Sequence, residues 1–242
     1  MTSRLALILT AAVGLMGCQK TSDQAFGERV HAYLRAHPEV IAESLQNLQA
    51  KAQLEKARSA TALLNTHRKA LEQDPRDFVA NPGGKITVVE FYDYRCGYCK
   101  LSAPEVLKLI AEFPDVRFVF KNFPIFGGAS NLAAQVAMTP QAKAKGLEIY
   151  RAFMTEKALD EATIERHLAT LGLNPTEVVT AGGAPEIRQH LEDTRRLAEA
   201  LKIEGTPAFI IGNALIPGAD MTAVRQAIAE ARNGPLKIPP RI

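Results

Sequence analysis

Tryptophan is absent from this chain, and cysteine occurs only three times in 242 residues. The remaining composition is still 47% apolar, ordinary for a globular protein with a sizeable core. The length allows one large domain, or a domain with an appendage. A large excess of either charge is also missing: 29 Lys and Arg stand against 26 Asp and Glu, a formal balance of +3. The basic residues are not clustered with aromatics, so no nucleic-acid partner is expected. Histidine pairs are missing as well. His31, His37, His67, His167 and His190 form no close pair, and Cys18 lies far from Cys96 and Cys99. A structural zinc site begun by a Cys-x-x-Cys would lack its two further ligands, so no metal is expected.

The N-terminus reads as a targeting segment. Arg4 supplies a positive start, and the apolar run over 5–16 is too short to span a bilayer. It ends in Leu15-Met16-Gly17-Cys18, which resembles a bacterial lipobox. Ordinary cleavage after Gly17 would put the bulky Leu15 where a small residue is wanted. Residues 1–17 are therefore expected to be a lipoprotein-type signal peptide and Cys18 the lipidated residue. A plain secreted chain or an uncleaved anchor is the competing reading. Lipidation would consume the odd thiol and leave Cys96 and Cys99 to work in the bacterial periplasm, where disulfides persist. By the lipoprotein sorting pattern, Gln19 after the cysteine favours the outer over the inner membrane.

The most informative stretch is Val88-Val89-Glu90-Phe91-Tyr92-Asp93-Tyr94-Arg95-Cys96-Gly97-Tyr98-Cys99. An apolar strand-like run leads into a Cys-x-x-Cys pair followed at once by helix-forming sequence. Two intervening residues place both sulfurs within one helical turn, close enough for a reversible disulfide. Cys96 falls at the helix N-terminus, where unpaired N–H groups and the macrodipole favour the thiolate. The thiolate is the species that attacks or leaves in disulfide exchange, and the pair needs no cofactor beyond its own sulfurs.

Residues 24–74 read as helix, interrupted at His37-Pro38. Ile41, Leu45, Leu48 and Ala52 recur at 4-3-4 spacing, and after a skip Ala57, Ala60, Leu64, His67 and Leu71 recur at 3-4-3-4. Such narrow stripes suit a coiled-coil seam and hence a homo-oligomer, or a helix packed on its own domain. The alanine-rich seam and broken register make the former a weak interface. Asp74-Pro75 and Asn81-Pro82-Gly83-Gly84 punctuate the passage to a second domain. There the pattern predicts strands over 85–91 and 116–121, and a helix over 96–113 that Pro104 must kink or restart. Helices follow over about 130–203, then a hairpin beginning at 208–211 and a last helix over 222–232. The expected architecture is α/β: residues 18–80 as a helical extension, and 81–242 as a mixed-sheet domain with a helical insertion over about 126–203.

Two further features sit near the cysteines. Glu90 could occupy an exposed alternate position of its strand, yet Val88, Val89 and Phe91 around it favour a buried carboxyl near the sulfurs. Burial would raise its pKa and let it exchange protons with Cys99. Gly205-Thr206-Pro207 precedes the third strand. Taken alone, Thr206-Pro207 is a turn signal. Were its bond cis, the Thr206 backbone would stay available to an extended substrate.

In combination, Glu90, Cys96-Gly97-Tyr98-Cys99, Pro104, Phe123-Pro124, the helical insertion and Gly205-Thr206-Pro207 resemble the DsbA-like thioredoxin-fold proteins over residues 81–234. Tyr33-Leu34 and His37-Pro38-Glu39-Val40-Ile41 resemble the helical extension of the family's ScsC-like branch. The resemblance implies a thioredoxin fold and thiol–disulfide oxidoreductase activity that forms, reduces or isomerises disulfides in exported proteins. It implies that Cys96 is the exposed nucleophile, Cys99 the buried resolving cysteine, Glu90 the buried proton carrier and Pro207 a cis-proline. Thr206 and, between the cysteines, Tyr98 would contact substrate. The implied partners are cysteine-containing exported proteins and a membrane or periplasmic redox partner. The oxidase proper carries Pro-His between its cysteines, whereas Gly97-Tyr98 resembles the DsbC isomerase. Without that histidine, Arg95 and Lys100 are the nearby cations left to support a Cys96 thiolate, and a less oxidising protein is expected. The direction of electron flow stays open. The competing class is a lipid-anchored binding module, holding copper on its thiolates or chaperoning unfolded chains.

Overall fold

The computed structural model describes residues 18–233. The signal peptide expected at 1–17 lies outside them, as does the side chain of Cys18. The chain divides into two compact units, Met1–Arg58 and Ser59–Ile242. In the first, α1 (Cys18–Ala36) and α2 (Pro38–Thr66) are separated only by His37. Pro38 opens α2 at a position where its missing N–H has no intrahelical acceptor to lose. None of the described residues of this unit is buried: Phe26, Val30 and Tyr33 of α1 and Ile41, Leu45 and Leu48 of α2 are all exposed.

The second unit starts inside α2, because nothing at the skipped register breaks the helix. Beyond α2 the chain forms α3 (Arg68–Glu72), β1 (Phe78–Ala80), β2 (Ile86–Tyr92), α4 (Gly97–Glu112) and β3 (Val116–Asn122). Six helices follow: α5 (Gly128–Ala137), α6 (Pro140–Lys143), α7 (Gly146–Thr155), α8 (Glu161–Thr170), α9 (Pro175–Gly182) and α10 (Pro185–Ala200). The chain closes with β4 (Ala208–Ile211), β5 (Ala214–Pro217) and α11 (Met221–Asn233). The sheet order is β1-β3-β2-β4-β5, with β2 and β3 parallel and every other pairing antiparallel. This is a mixed-sheet α/β fold with a helical insertion between β3 and β4.

Period-two alternation along β2 sends side chains to two different cores. Val88 and Tyr92 join Cys99, Val106, Phe120, Tyr150, Phe153 and Phe209, on the face covered by α4, α7 and α11. Val89 and Phe91 join Leu64, Leu71, Val119, Leu197 and Leu201 on the opposite face, under α3 and α10. Gly84 leads into β2 where the backbone passes against β3: a Cβ there would lie 2.4 Å from the Arg117 nitrogen.

At three points the structure adds to the expected architecture or narrows it. Leu64 and Leu71 are buried at 3% and 0%, so residues 59–80 pack with the second unit rather than with the extension. Polar contacts fasten the same stretch. Lys121, at 1% exposure, pairs with Asp77 and donates to the Ala70 carbonyl at 2.6 Å, and His190 lies 3.0 Å from Asp77. β1, unanticipated because it is only three residues long between two turns, is an edge strand paired with β3. Finally, of the two outcomes expected at Pro104, a kink or a restart, the restart does not occur: α4 runs through Pro104 as one helix.

Leu71 therefore belongs to the core of the second unit. Leu71→Ala is expected to lower the unfolding free energy in urea by roughly 2–5 kcal/mol. A loss below about 1 kcal/mol would mean that residues 59–72 are a removable appendage.

Candidate functional site

β2 ends at Tyr92, and the chain must turn before α4 can begin. Asp93 makes that turn: its carboxylate accepts the Arg95 N–H at 2.7 Å, and its carbonyl accepts the Cys96 N–H at 3.1 Å. The same carboxylate, only 2% exposed at the residue level, accepts the N–H groups of Ile125 (2.6 Å) and Phe126 (3.1 Å) and the Ser130 hydroxyl (2.8 Å). Asp93 thus ties the β3–α5 loop to the turn before Cys96. Sequence reasoning passed over it; the signal was an acidic residue between an apolar strand and a helix cap, where a side-chain acceptor satisfies turn donors.

Cys96 caps α4 with extended backbone (φ −69°, ψ 121°), and Cys99 lies one turn in. Both are thiols in this structure. Cys96 was expected to be exposed, yet it is only 3% accessible, nearly as covered as Cys99 at 0%. The Thr206–Pro207 segment lies against it, and the Cys96 thiol donates to the Thr206 carbonyl at 3.1 Å. The Thr206–Pro207 bond is cis. Beside it is a cavity of about 250 Å³, lined by Ile203, Thr206, Pro207, Leu215 and Pro217. Of the dipeptide between the cysteines, Tyr98 is 67% exposed.

The two sulfurs differ sharply in acidity. A hydrogen bond from Cys99 holds the Cys96 pKa down to about 5 against the opposing effect of burial, with help from Thr206 and the backbone N–H groups of Cys99 and Tyr98. The Thr206 hydroxyl is buried and unpartnered, so it can donate to a thiolate, whereas the carbonyl can only accept. The expected cations, Arg95 and Lys100, are not among the main causes of the lowered Cys96 pKa. Arg95 donates to the Phe126 carbonyl at 3.1 Å and Lys100 to the Glu156 carbonyl. Burial pushes the Cys99 thiol up, reinforced by its bond to Cys96 and by the nearby Glu90 charge.

Glu90 is 1% exposed and flanked across the sheet by Phe120 and Phe209. Burial pushes its pKa up to about 8, tempered by a hydrogen bond from Tyr150. The Tyr150 hydroxyl lies 3.1 Å from both carboxylate oxygens. Among the described residues no three His, Cys, Asp or Glu side chains gather as a metal site, and no helix is long and apolar enough to cross a membrane.

A carboxyl whose folded pKa is raised loses stability as pH climbs from its unfolded value toward the folded one. Here that window runs from 4.5 to about 8. Glu90→Gln is therefore expected to leave stability nearly unchanged near pH 4 and to raise it by on the order of a few kcal/mol above pH 8. Thermal unfolding across pH measures this; a constant offset at all pH values would contradict a buried, titrating Glu90.

The site's geometry agrees with what comparison with known proteins finds. Residues 87–229 match the DSBA-like thioredoxin domain, and residues 23–55 match the Copper resistance protein ScsC N-terminal domain. The Na(+)/H(+) antiporter NhaA 3 of Salinispora tropica is 28% identical over 207 residues, covering 76% of this chain and 30% of the antiporter. The thiol:disulfide interchange protein DsbA of Azotobacter vinelandii is 26% identical over 140 residues, covering 55% of this chain and 64% of DsbA. The chain thus spans less than two thirds of either relative. The crystal structure of a thioredoxin-like oxidoreductase from Silicibacter pomeroyi DSS-3 superposes with a TM-score of 0.65 at 34% identity, over 69% of this chain and 98% of that one. This chain belongs to the DSBA-like thioredoxin domain family of thiol–disulfide oxidoreductases, with a ScsC-type N-terminal domain.

Proposed function

We propose that this protein is a periplasm-facing thiol–disulfide oxidoreductase acting on exported proteins through Cys96 and Cys99. The observation that carries the reading is the pairing of an acidified Cys96 at the α4 N-terminus, in contact with the Thr206 carbonyl, with a Cys99 kept protonated by burial one turn away. In oxidation, a substrate thiolate attacks Cys96 Sγ of the Cys96–Cys99 disulfide. The S–S bond breaks, and Cys99 leaves with the electron pair and takes a proton from Glu90. A second substrate thiolate then attacks the substrate sulfur of the mixed disulfide and releases Cys96 as a thiolate, so two electrons pass from substrate to protein. In reduction or isomerisation, the Cys96 thiolate attacks a substrate disulfide. In reduction, Cys99 then gives its proton to Glu90 and its thiolate displaces the substrate. In isomerisation, another substrate thiolate attacks the substrate sulfur of the mixed disulfide instead and releases Cys96 as a thiolate, with no net electron transfer. A membrane or periplasmic redox partner restores the working state. Thr206, Pro207 and Tyr98 form the surface on which the substrate segment lies.

A Cys96 thiol held acidic serves both as attacking thiolate and as leaving group, so it is compatible with either direction. Cys99→Ser is expected to accumulate mixed disulfides through Cys96, and Cys96→Ser to abolish insulin reduction. Trapping through Cys99 in the Cys96→Ser variant would reverse the two roles.

The N-terminal part of the proposal is a lipid anchor at Cys18 followed by helices that self-associate. Phe26, Val30, Tyr33, Ile41, Leu45 and Leu48 are exposed on a unit with no buried described residue, an arrangement that leaves apolar area to be covered. A self-associated form could hold a misfolded chain between active sites, which favours isomerisation. Mass spectrometry of the mature protein should find a diacylglyceryl adduct on Cys18. Light scattering of a soluble Cys18→Ala form should find more than one chain per particle. An unmodified thiol would refute the anchor, and a monomer at micromolar concentration would refute the assembly.

A further inference from the structure

We propose that Tyr150 is a positioning residue for the redox proton transfer: its hydroxyl, delivered by the helical insertion, serves Glu90 in both protonation states. The inference rests on the reading of Glu90 as the group that exchanges a proton with Cys99. Tyr150 lies on α7, sixty residues from Glu90 in sequence, and is 0% exposed. Its oxygen is 3.1 Å from Oε1 and 3.1 Å from Oε2, centred on the carboxyl group rather than aligned with one oxygen. No other described residue forms a hydrogen bond with that carboxyl. The neighbouring tyrosine hydroxyls, Tyr92 and Tyr94, pair with each other at 3.1 Å.

A carboxylate in an apolar core needs a donor, and a carboxylic acid needs an acceptor for its own O–H. A tyrosine hydroxyl is both, so one residue can satisfy either form without moving. A lysine could only donate, and a phenylalanine could do neither. The hydroxyl is held in place by its ring, which packs against Tyr92 (centroids 5.5 Å apart), Phe120 (5.0 Å) and Tyr94 (6.4 Å). The titratable groups facing Glu90 are Tyr150 from α7, Cys99 from α4, and Tyr92 and Tyr94 from β2 and the turn after it. The β3 and β4 neighbours are the phenylalanines Phe120 and Phe209.

The consequence concerns the resolving step. When a substrate is joined to Cys96, Cys99 must pass its proton to ionised Glu90 before its thiolate attacks Cys96 Sγ. That attack forms the Cys96–Cys99 bond, breaks the substrate–Cys96 bond and releases the substrate as a thiolate. The step therefore quickens as Glu90 ionises. The Tyr150 hydrogen bond favours the ionised form, so removing it moves the ionisation to higher pH.

The test uses the full-length protein with Cys18 replaced by Ala. Reduced protein is mixed with oxidised glutathione, and acid quenching with mass spectrometry follows the lifetime of the glutathione–Cys96 mixed disulfide between about pH 6 and pH 9.5. The parent protein should show an inflection in the resolving rate that Glu90→Gln removes. In Tyr150→Phe, which keeps the ring packing, the inflection should survive but move upward. Each unit of movement lowers the rate near pH 7 by about tenfold. The double variant should match Glu90→Gln alone. An inflection unmoved in Tyr150→Phe, with only the melting temperature lowered, would reduce Tyr150 to a packing residue and overturn the proposal. So would an additive further loss in the double variant. An inflection that persists in Glu90→Gln would instead overturn the reading of Glu90 beneath it.

Discussion

The site depends on a single constraint: two sulfurs one helical turn apart are given opposite proton affinities. A helix N-terminus presents unpaired N–H groups, and Cys96 at the cap receives those of Tyr98 and Cys99. Cys99 sits inside the first turn, shut from solvent, where ionisation would leave a desolvated charge close to Glu90. Exchange chemistry needs one thiolate and one thiol that can become a thiolate at the right moment. Local helix geometry supplies the first, and burial supplies the second.

That burial comes from elements far apart in the chain. β2 alternates between two cores, and its cysteine-facing side carries Val88, Glu90 and Tyr92. Tyr150 and Phe153 of α7 close over that side, so the insertion between β3 and β4 forms the wall that keeps water from Glu90 and Cys99. On the other face, Lys121, Asp77 and His190 form a buried polar cluster that joins β3, the loop before β1 and α10. Asp77 takes both the Lys121 ammonium and the His190 Nε2, whereas His190 Nδ1 is left without a hydrogen-bond partner. Asp93 provides the third tie, four side-chain-accepted hydrogen bonds that hold the 125–130 segment beside the cysteine turn.

The N-terminal unit follows different physics. Its helices are long and contain exposed apolar side chains, but among its described residues nothing is buried. Helical propensity and local hydrogen bonds define it, whereas the second unit is defined by long-range packing. The division at Arg58/Ser59 falls inside one uninterrupted helix, so secondary structure alone could not reveal it.

What the sequence determined by itself is whatever local patterning encodes. The Cys-x-x-Cys at a strand-to-helix junction put Cys96 at a cap. The apolar runs located β2, β3 and β4, and Pro38 marked a helix start. The family was legible because its motifs combine at characteristic separations, and Glu90 stood out because a carboxylate is unusual in so apolar a strand. Only the tertiary structure decided which residues surround these. The coverage of Cys96 by Thr206, the four donors on Asp93, the Tyr150 hydroxyl over Glu90 and the burial of Leu71 all join segments 30 or more residues apart or join turns to loops. Edge strand β1 exists because β3 offers it a partner, not because three residues specify a strand. Hydrophobic period and turn chemistry are properties of neighbours in sequence. Desolvation, and the proton affinities it sets, is a property of neighbours in space.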